Sequence, residues 1–354
     1  KILGVGGDWN WNNGKTFGPH PDANNKNEVL YQCLEVQESE TIKVVKNKNC
    51  YYGNVKDGSV SVTYGDDGNI VLPKGVYDLY FDKTTNQLYI GYAVPTKYLV
   101  MGVGNDWTTG IEMTENKNNA DEYMLTGQCL DNSADAIKFV KEYSCGAKEY
   151  FNAVSSSSTA SYTYNGKGNI VLETGAYDFY FSKSKNETYI GKLTPSACYI
   201  TGIGGNDNKI KLSLNDAKTE FVSTQAAGIQ VKSTDKVKVR LEWSCGASAE
   251  YVALDDASCA TSSNSGITMK DGYYDFYFKL AENELYVGAN QTNPANVAYY
   301  LMGVGGDLEK TDYPLIPNPG NGNELMLLGQ EISKANDAIN IEKKTLCAED
   351  ISYD

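Results

Sequence analysis

Histidine is nearly absent from this chain: His20 is the single one among 354 residues. General acid–base catalysis near neutral pH leans on imidazole more than on any other side chain. Basic residues are outnumbered as well. Lysine plus arginine count 31 against 45 for aspartate plus glutamate, a net charge of −14. Such a surface repels phosphate backbones and anionic headgroups, which argues against nucleic acid and against docking on acidic lipid. No apolar run approaches the length of a membrane span, so insertion is not expected. The opening residues Lys1-Ile2-Leu3-Gly4 hold no apolar signal core, and any leader is expected to lie outside this sequence. No Cys-x-x-Cys motif occurs, which removes the commonest zinc pattern.

What is present in quantity is tyrosine (27) and glycine (34). With Thr, Val and Asn these favour strands joined by tight turns. An internal repeat organises them. Leu3-Gly4-Val5-Gly6-Gly7-Asp8-Trp9 returns as Met101-Gly102-Val103-Gly104-Asn105-Asp106-Trp107, as Thr201-Gly202-Ile203-Gly204-Gly205-Asn206-Asp207 and as Met302-Gly303-Val304-Gly305-Gly306-Asp307-Leu308. A second block closes each full copy: Gly75-Val76-Tyr77-Asp78-Leu79-Tyr80-Phe81, Gly175-Ala176-Tyr177-Asp178-Phe179-Tyr180-Phe181 and Gly272-Tyr273-Tyr274-Asp275-Phe276-Tyr277-Phe278. Each is followed by a short strand ending in glycine, as in Leu88-Tyr89-Ile90-Gly91. The first glycines fall at 4, 102, 202 and 303, a period too long for a solenoid and suited to domains on a string.

The expected boundaries are 1–95, 96–195, 196–295 and an incomplete fourth copy, 296–354. A proline stands in each joint (Pro95, Pro195, Pro294) and should stiffen it. The fourth copy lacks a closing block, and the expectation is that the chain is a piece of a longer array. Donation of the missing strands by another subunit is the competing explanation.

Alternation sets the fold class. Tyr77, Leu79 and Phe81 share one face while Asp78 and Tyr80 take the other; Leu88 and Ile90 point inward and Tyr89 outward. Ile137 and Phe139, and Val237, Val239 and Leu241, alternate in the central strand. No stretch keeps a helical period. The expectation is all-β: tandem Ig-like β-sandwich modules of roughly 100 residues.

The cysteines point to disulfides, and hence to an extracellular or cell-surface setting. Cys33 and Cys50 match Cys129 and Cys145 in sequence. The third copy has Ala226 at the first place, keeps Cys245 and gains Cys259. The expected pairs are Cys33–Cys50, Cys129–Cys145 and Cys245–Cys259, with Cys198 and Cys347 unassigned. The sequons at Asn186 and Asn290 are candidate glycosylation sites.

The glycine-rich opening lacks the third glycine, the helix and the acidic partner of a dinucleotide fingerprint, and reads as a strand entering a turn. Asp66-Asp67-Gly68-Asn69 reads as a turn rather than a calcium loop, because its counterpart carries Lys167. Asp78, Asp178 and Asp275 have no second acid at a fixed place, as a glycosidase pair would need, and are expected to hydrogen-bond a neighbouring strand or loop. No catalytic residue, metal or cofactor emerges, so the protein is not expected to be an enzyme.

Trp9, Trp11 and Trp107 differ from copy to copy and sit in loops among amides and acids. They are either sugar-stacking contacts or caps on the sandwich end. Trp243 fits either role. The outward pairs Tyr80/Tyr89, Tyr180/Tyr189 and Tyr277/Tyr286 should be cross-strand neighbours that stabilise the sheet or form an interface between copies.

The hydrophobic-Gly-x-Gly-x-Asp-Trp opening, the Ile137-Lys138-Phe139 strand, the Gly68-Asn69-Ile70 and Gly168-Asn169-Ile170 turns and the closing GxYDxYF resemble bacterial starch-binding modules. The resemblance is to SusE/SusF-like domains and the related modules of amylases, pullulanases and amylosome scaffolds. It covers nearly all of each full copy. It implies a non-catalytic Ig-like module that binds α-glucan on aromatics, here Trp9, Trp11 and Trp107. Copies three and four depart from it by lacking those tryptophans, and the cysteines are unusual for the family. A surface stalk or self-assembling filament, copies meeting end to end, is the alternative.

Overall fold

The structure is a computed structural model. It describes every residue except 49, 53–54, 132–135, 206–207, 257, 305–312, 330–337, 348–350 and 354, and only the backbone of 50–52 and 351–353. Asp207 and Leu308, and the Cys50 side chain, therefore lie outside the described residues. Among the described residues all extended structure is antiparallel apart from isolated bridges, and the helical turns are three short 3-10 segments, Val5–Gly7, Val103–Asn105 and Pro294–Asn296. The chain is all-β.

The first copy is built from a five-stranded and a four-stranded sheet. In the first, the opening strand Ile2–Leu3 pairs with the central strand Glu40–Lys46, which pairs in turn with Ile70–Leu72. In the second, Glu28–Val36 pairs with the closing strand Gly75–Asp82, which forms a hairpin with Gln87–Tyr92. Their apolar faces meet in one core. Ile2, Ile42, Val44 and Ile70 come from one sheet, and Leu34, Val36, Tyr77, Leu79, Phe81 and Ile90 from the other. Each such side chain contributes about 1.5–3 kcal/mol by leaving water. The second copy repeats the plan, with Val100, Ile137, Phe139 and Ile170 facing Leu130, Tyr177, Phe179, Phe181 and Ile190.

The third copy departs from it. Its strand Ile210–Leu214 pairs with both Ala197–Thr201 and Glu220–Val222, so the two layers join into one eight-stranded sheet. The fourth copy holds a five-stranded sheet, and Ile316, Leu325, Leu328, Ile339 and Ile341 remain exposed on it or beside it. The chain divides into two compact units, Lys1–Leu193 and Thr194–Asp354.

Two local devices explain the repeated motifs. The first glycine of each opening has a left-handed backbone, with φ of 90° at Gly4, 93° at Gly102 and 82° at Gly202. A Cβ at Gly4 would sit 2.2 Å from the Thr41 carbonyl oxygen, and one at Gly202 would sit 1.9 Å from that of Lys236. Only glycine fits so close an approach. The second device is the tyrosine of the closing block. Tyr77, Tyr177 and Tyr274 are buried, and each hydroxyl donates to the carbonyl four residues upstream, at Pro73, Glu173 and Lys270, over 2.8, 2.9 and 2.8 Å. This is the tyrosine-corner arrangement of Ig-like sandwiches.

The cysteine pairings differ from those expected. Cys259 bonds to Cys347, not to Cys245. Cys33 and Cys145 are free thiols, so neither a Cys33–Cys50 nor a Cys129–Cys145 bridge exists, while Cys129 and Cys245 are disulfide-bonded. Cys198 is free and buried, and desolvation pushes its thiol up to about 12. The matched letters do not mark matched places, as the bulge common to both copies shows. Tyr31 faces Leu79 and Leu34 faces Tyr77, so one extra residue is accommodated between them; in copy two the same step lies between Leu125 and Gln128. Cys33 therefore corresponds to Gly127, and Cys129 lies two places further along.

Candidate functional site

Trp9 and Trp107 occupy matching places, just after a tightly held loop. Gly4 N–H donates to the Asp8 carbonyl at 2.7 Å, and Gly102 N–H to that of Asp106 at 2.7 Å. The side chains of these two aspartates then organise the residues beyond each tryptophan. Asp8 accepts from Asn10 N–H at 2.8 Å and from Asn13 Nδ2 at 2.9 Å. Asp106 accepts from Thr108 N–H at 2.8 Å, from its hydroxyl at 2.7 Å, and from Thr109. These donors hold both carboxyls below the usual range. At Asp106 the Thr109 hydroxyl is the largest cause; at Asp8 it is the Asn10 N–H.

One edge of each indole rests on the first glycine: a Cβ at Gly4 or Gly102 would lie 2.9 Å from the ring. The rest is open, with Trp9 46% and Trp107 38% exposed. Trp107 Nε1 donates to Asn105 Oδ1 at 3.2 Å. Copy three keeps the same constrained glycine, Gly202, without a tryptophan after it.

Trp11 is placed differently. It is half-buried, with the Lys1 ammonium 5.4 Å from its ring centre. It lines a groove of about 280 Å³ together with Phe17, Val29, Phe81 and Lys83. Trp243 is buried, 4% exposed, and is a core residue of copy three.

The outward tyrosines pair across the closing hairpin in all three full copies: Tyr80/Tyr89 at 5.9 Å, Tyr180/Tyr189 at 5.8 Å and Tyr277/Tyr286 at 5.8 Å between ring centres. The closing-strand, or inner, tyrosine of each pair, Tyr80, Tyr180 or Tyr277, has its hydroxyl pushed up, first by burial and then by the closing-block aspartate and other groups that include an acid of the adjoining strand, Glu28, Glu122 or Glu220. In copy one these residues join His20. Its ring lies 5.6 Å from that of Tyr80, and its Nδ1 accepts the Asp22 N–H at 3.0 Å. That bond places the ring proton on Nε2, 3.9 Å from Glu28. With Asp82, Gln87 and Tyr89 they line a second groove of about 280 Å³. The tyrosine pairs alone do not announce this groove. Its sequence signal is an acid two places before the residue that faces each inner tyrosine: Glu28 before Leu30, Glu122 before Met124 and Glu220 before Val222. That signal joins segments far apart in the chain.

Copy three carries a different surface. Lys209, Lys236, Lys238, Arg240 and Glu250 line a groove of about 680 Å³. Its cations are largely matched, Lys209 and Arg240 by Glu242 at 2.8 and 2.9 Å and Lys238 by Glu250 at 2.9 Å.

The closing-block aspartates bind backbone or a neighbouring amide. Asp78 accepts from Cys33 N–H at 2.8 Å and Asp178 from Gly127 N–H at 2.7 Å, each at the bulge. Asp275 accepts instead from Asn290 Nδ2, at 3.0 and 3.1 Å. Asn290 is 5% exposed and also donates to the Ala226 carbonyl. Its amide nitrogen is committed within the fold, which argues against a glycan there. Asn186 is exposed in its hairpin turn and accepts from Lys141 Nζ at 2.5 Å. No group of residues suited to a metal ion is found among the described residues.

Among solved structures, the chain is similar to the crystal structure of SusF from Bacteroides thetaiotaomicron. The identity is 14% over 81% of this chain and 71% of that one, with a TM-score of 0.24. No family model and no curated protein matches it.

Proposed function

We propose that the protein is a non-catalytic, extracellular or cell-surface binder of polysaccharide, of the α-glucan type, that holds its ligand on the loop aromatics Trp9, Trp11 and Trp107. The observation that carries this reading is the pair Trp9 and Trp107. Each indole is roughly half exposed on a loop already fixed by its aspartate and glycine. A flat apolar ring held rigid among amide, hydroxyl and carboxylate groups suits a sugar: its CH face stacks on the ring and its hydroxyls exchange hydrogen bonds with the rim. Little ordering entropy remains to be lost on binding. The resemblance of the repeated motifs to starch-binding modules points to the same ligand class.

The test is depletion from solution by granular starch, cellulose and chitin, with the Trp9→Ala/Trp107→Ala variant alongside. Selective loss of the native chain onto starch, reduced at least tenfold in the variant, is the expected result. Retention of the variant equal to that of the native chain would remove Trp9 and Trp107 as the site. No retention of either on any polysaccharide would overturn the binding role.

A further inference from the structure

Copies one and two meet through a small apolar contact. Val76 and Ala93 of copy one pack with Tyr143 of copy two, and Cys33 and Ala147 close around them. Cys33 stands at the bulge of copy one with a left-handed backbone, φ 55°. Cys145 stands in the turn Tyr143–Ala147 of copy two, which is tied by Tyr143 N–H to the Ala147 carbonyl at 3.0 Å and by Gly146 N–H to the Tyr143 carbonyl at 2.9 Å. Cys33 Sγ lies 3.8 Å from the hydroxyl of Ser144, the residue just before Cys145; burial first, and then the neighbouring Cys145, push the Cys33 thiol up.

The joint between copies three and four offers a parallel. There the bond is formed: Cys259 of copy three is joined to Cys347 of copy four, with the Cα atoms 5.3 Å apart. Cys347 and Cys145 hold the same place in the repeat, eight residues beyond Ile339 and Ile137 at the start of the central strand. Cys245 holds that place in copy three and is also disulfide-bonded. Cys145, Cys245 and Cys347 thus share one turn position, and the partner of Cys347 in the preceding copy does not stand at the Cys33 position. Copy three has Gly228 at the Cys33 position, facing the same closing strand, and supplies Cys259 from another loop.

We propose that Cys33 and Cys145 form a disulfide that covalently bridges copies one and two. The oxidant is a disulfide of the thiol–disulfide oxidoreductase class, or a small-molecule disulfide. Cys145 is exposed and Cys33 less so, so the Cys145 thiolate attacks the oxidant and forms a mixed disulfide, releasing one oxidant thiol. The Cys33 thiolate then attacks Cys145 Sγ and expels the second. The two cysteines together lose two protons and two electrons; the oxidant disulfide takes them up and leaves as two thiols. Burial pushes the Cys33 thiol up, which lowers the thiolate fraction available for the second displacement.

The function of such a bond is to fix one module against the next without a large interface. It confines the joint around Pro95 and removes freedom from the unfolded chain. A glycan-binding role would then meet its polymer with two preset surfaces, and the bond itself does not depend on that role.

The experiment is peptide mapping by mass spectrometry. The full chain is incubated with oxidised glutathione until the Cys259–Cys347 peptide pair is fully linked, then free thiols are alkylated and the protein is digested without reductant. The expected result is a linked species joining the Cys33 and Cys145 peptides that disappears on reduction. In a Cys145→Ser chain Cys33 should be alkylated while Cys259–Cys347 stays intact. Alkylation of both Cys33 and Cys145 in the native chain, or linkage of Cys33 to any other cysteine, would overturn the proposal.

Discussion

At the scale of single residues, Asp106 decides how the Trp107 loop is presented. Its carboxylate gathers donors from Thr108 and Thr109, and these hold its pKa below the usual range. A carboxyl whose pKa is depressed by folding stabilises the folded loop above its ordinary pKa, and that contribution is lost as pH falls through and below it. Binding at Trp107 should therefore be flat from neutrality down to about pH 4, the ordinary aspartate range, and weaken only in stronger acid. An Asp106→Asn chain should bind more weakly at neutral pH and lose the acid-dependent step. Isothermal titration with a soluble oligosaccharide across pH reads this directly. A native chain that already weakens between pH 7 and 5 would point to another titrating group.

At the scale of elements, the closing strand organises each sandwich, and its tyrosine ties the strand to the turn before it. In Tyr177→Phe the ring still fills the core, but the Glu173 carbonyl loses its donor. The expected cost is about 1–3 kcal/mol, seen as a lower urea midpoint with the β-sheet circular dichroism unchanged. An unshifted midpoint would mean that water replaces the hydroxyl.

The alternation of this strand was legible in sequence, because the buried run Tyr177, Phe179, Phe181 has the period of a strand with one face inside. The bulge was not. Gln32-Cys33-Leu34 and Gln128-Cys129-Leu130 are the same letters, yet Leu34 faces Tyr77 while Leu130 faces Gly175. Both copies carry the same one-residue bulge, and the identical string sits at it in copy one and two places beyond it in copy two; its leucine still points inward, since a step of two keeps the face. Cysteine pairing inferred from matched letters fails for that reason. The Tyr80 groove was illegible on similar grounds: His20, Glu28 and Asp82 converge only through strand pairing. The loop tryptophans stood out because they vary while the first two glycines of the opening do not.

At the scale of the whole molecule, the repeat matters through number. Trp9 and Trp107 belong to copies one and two, which lie within a single compact unit. Two sites on one body that engage the same polymer act together: once the first is bound, the second meets its ligand at the effective concentration set by their spacing. Such coupling raises affinity by about 10²–10⁴ without a new contact. A ligand too short to span both sites gains nothing. Trp107→Ala should then lower affinity for long soluble α-glucan by at least tenfold. For an oligosaccharide that fits one site, it should leave the dissociation constant nearly unchanged and halve the binding stoichiometry. Calorimetry with both ligands separates the two effects. Equal loss of affinity for the short and the long ligand would mean that Trp107 dominates binding alone, and that the two copies do not share a polymer.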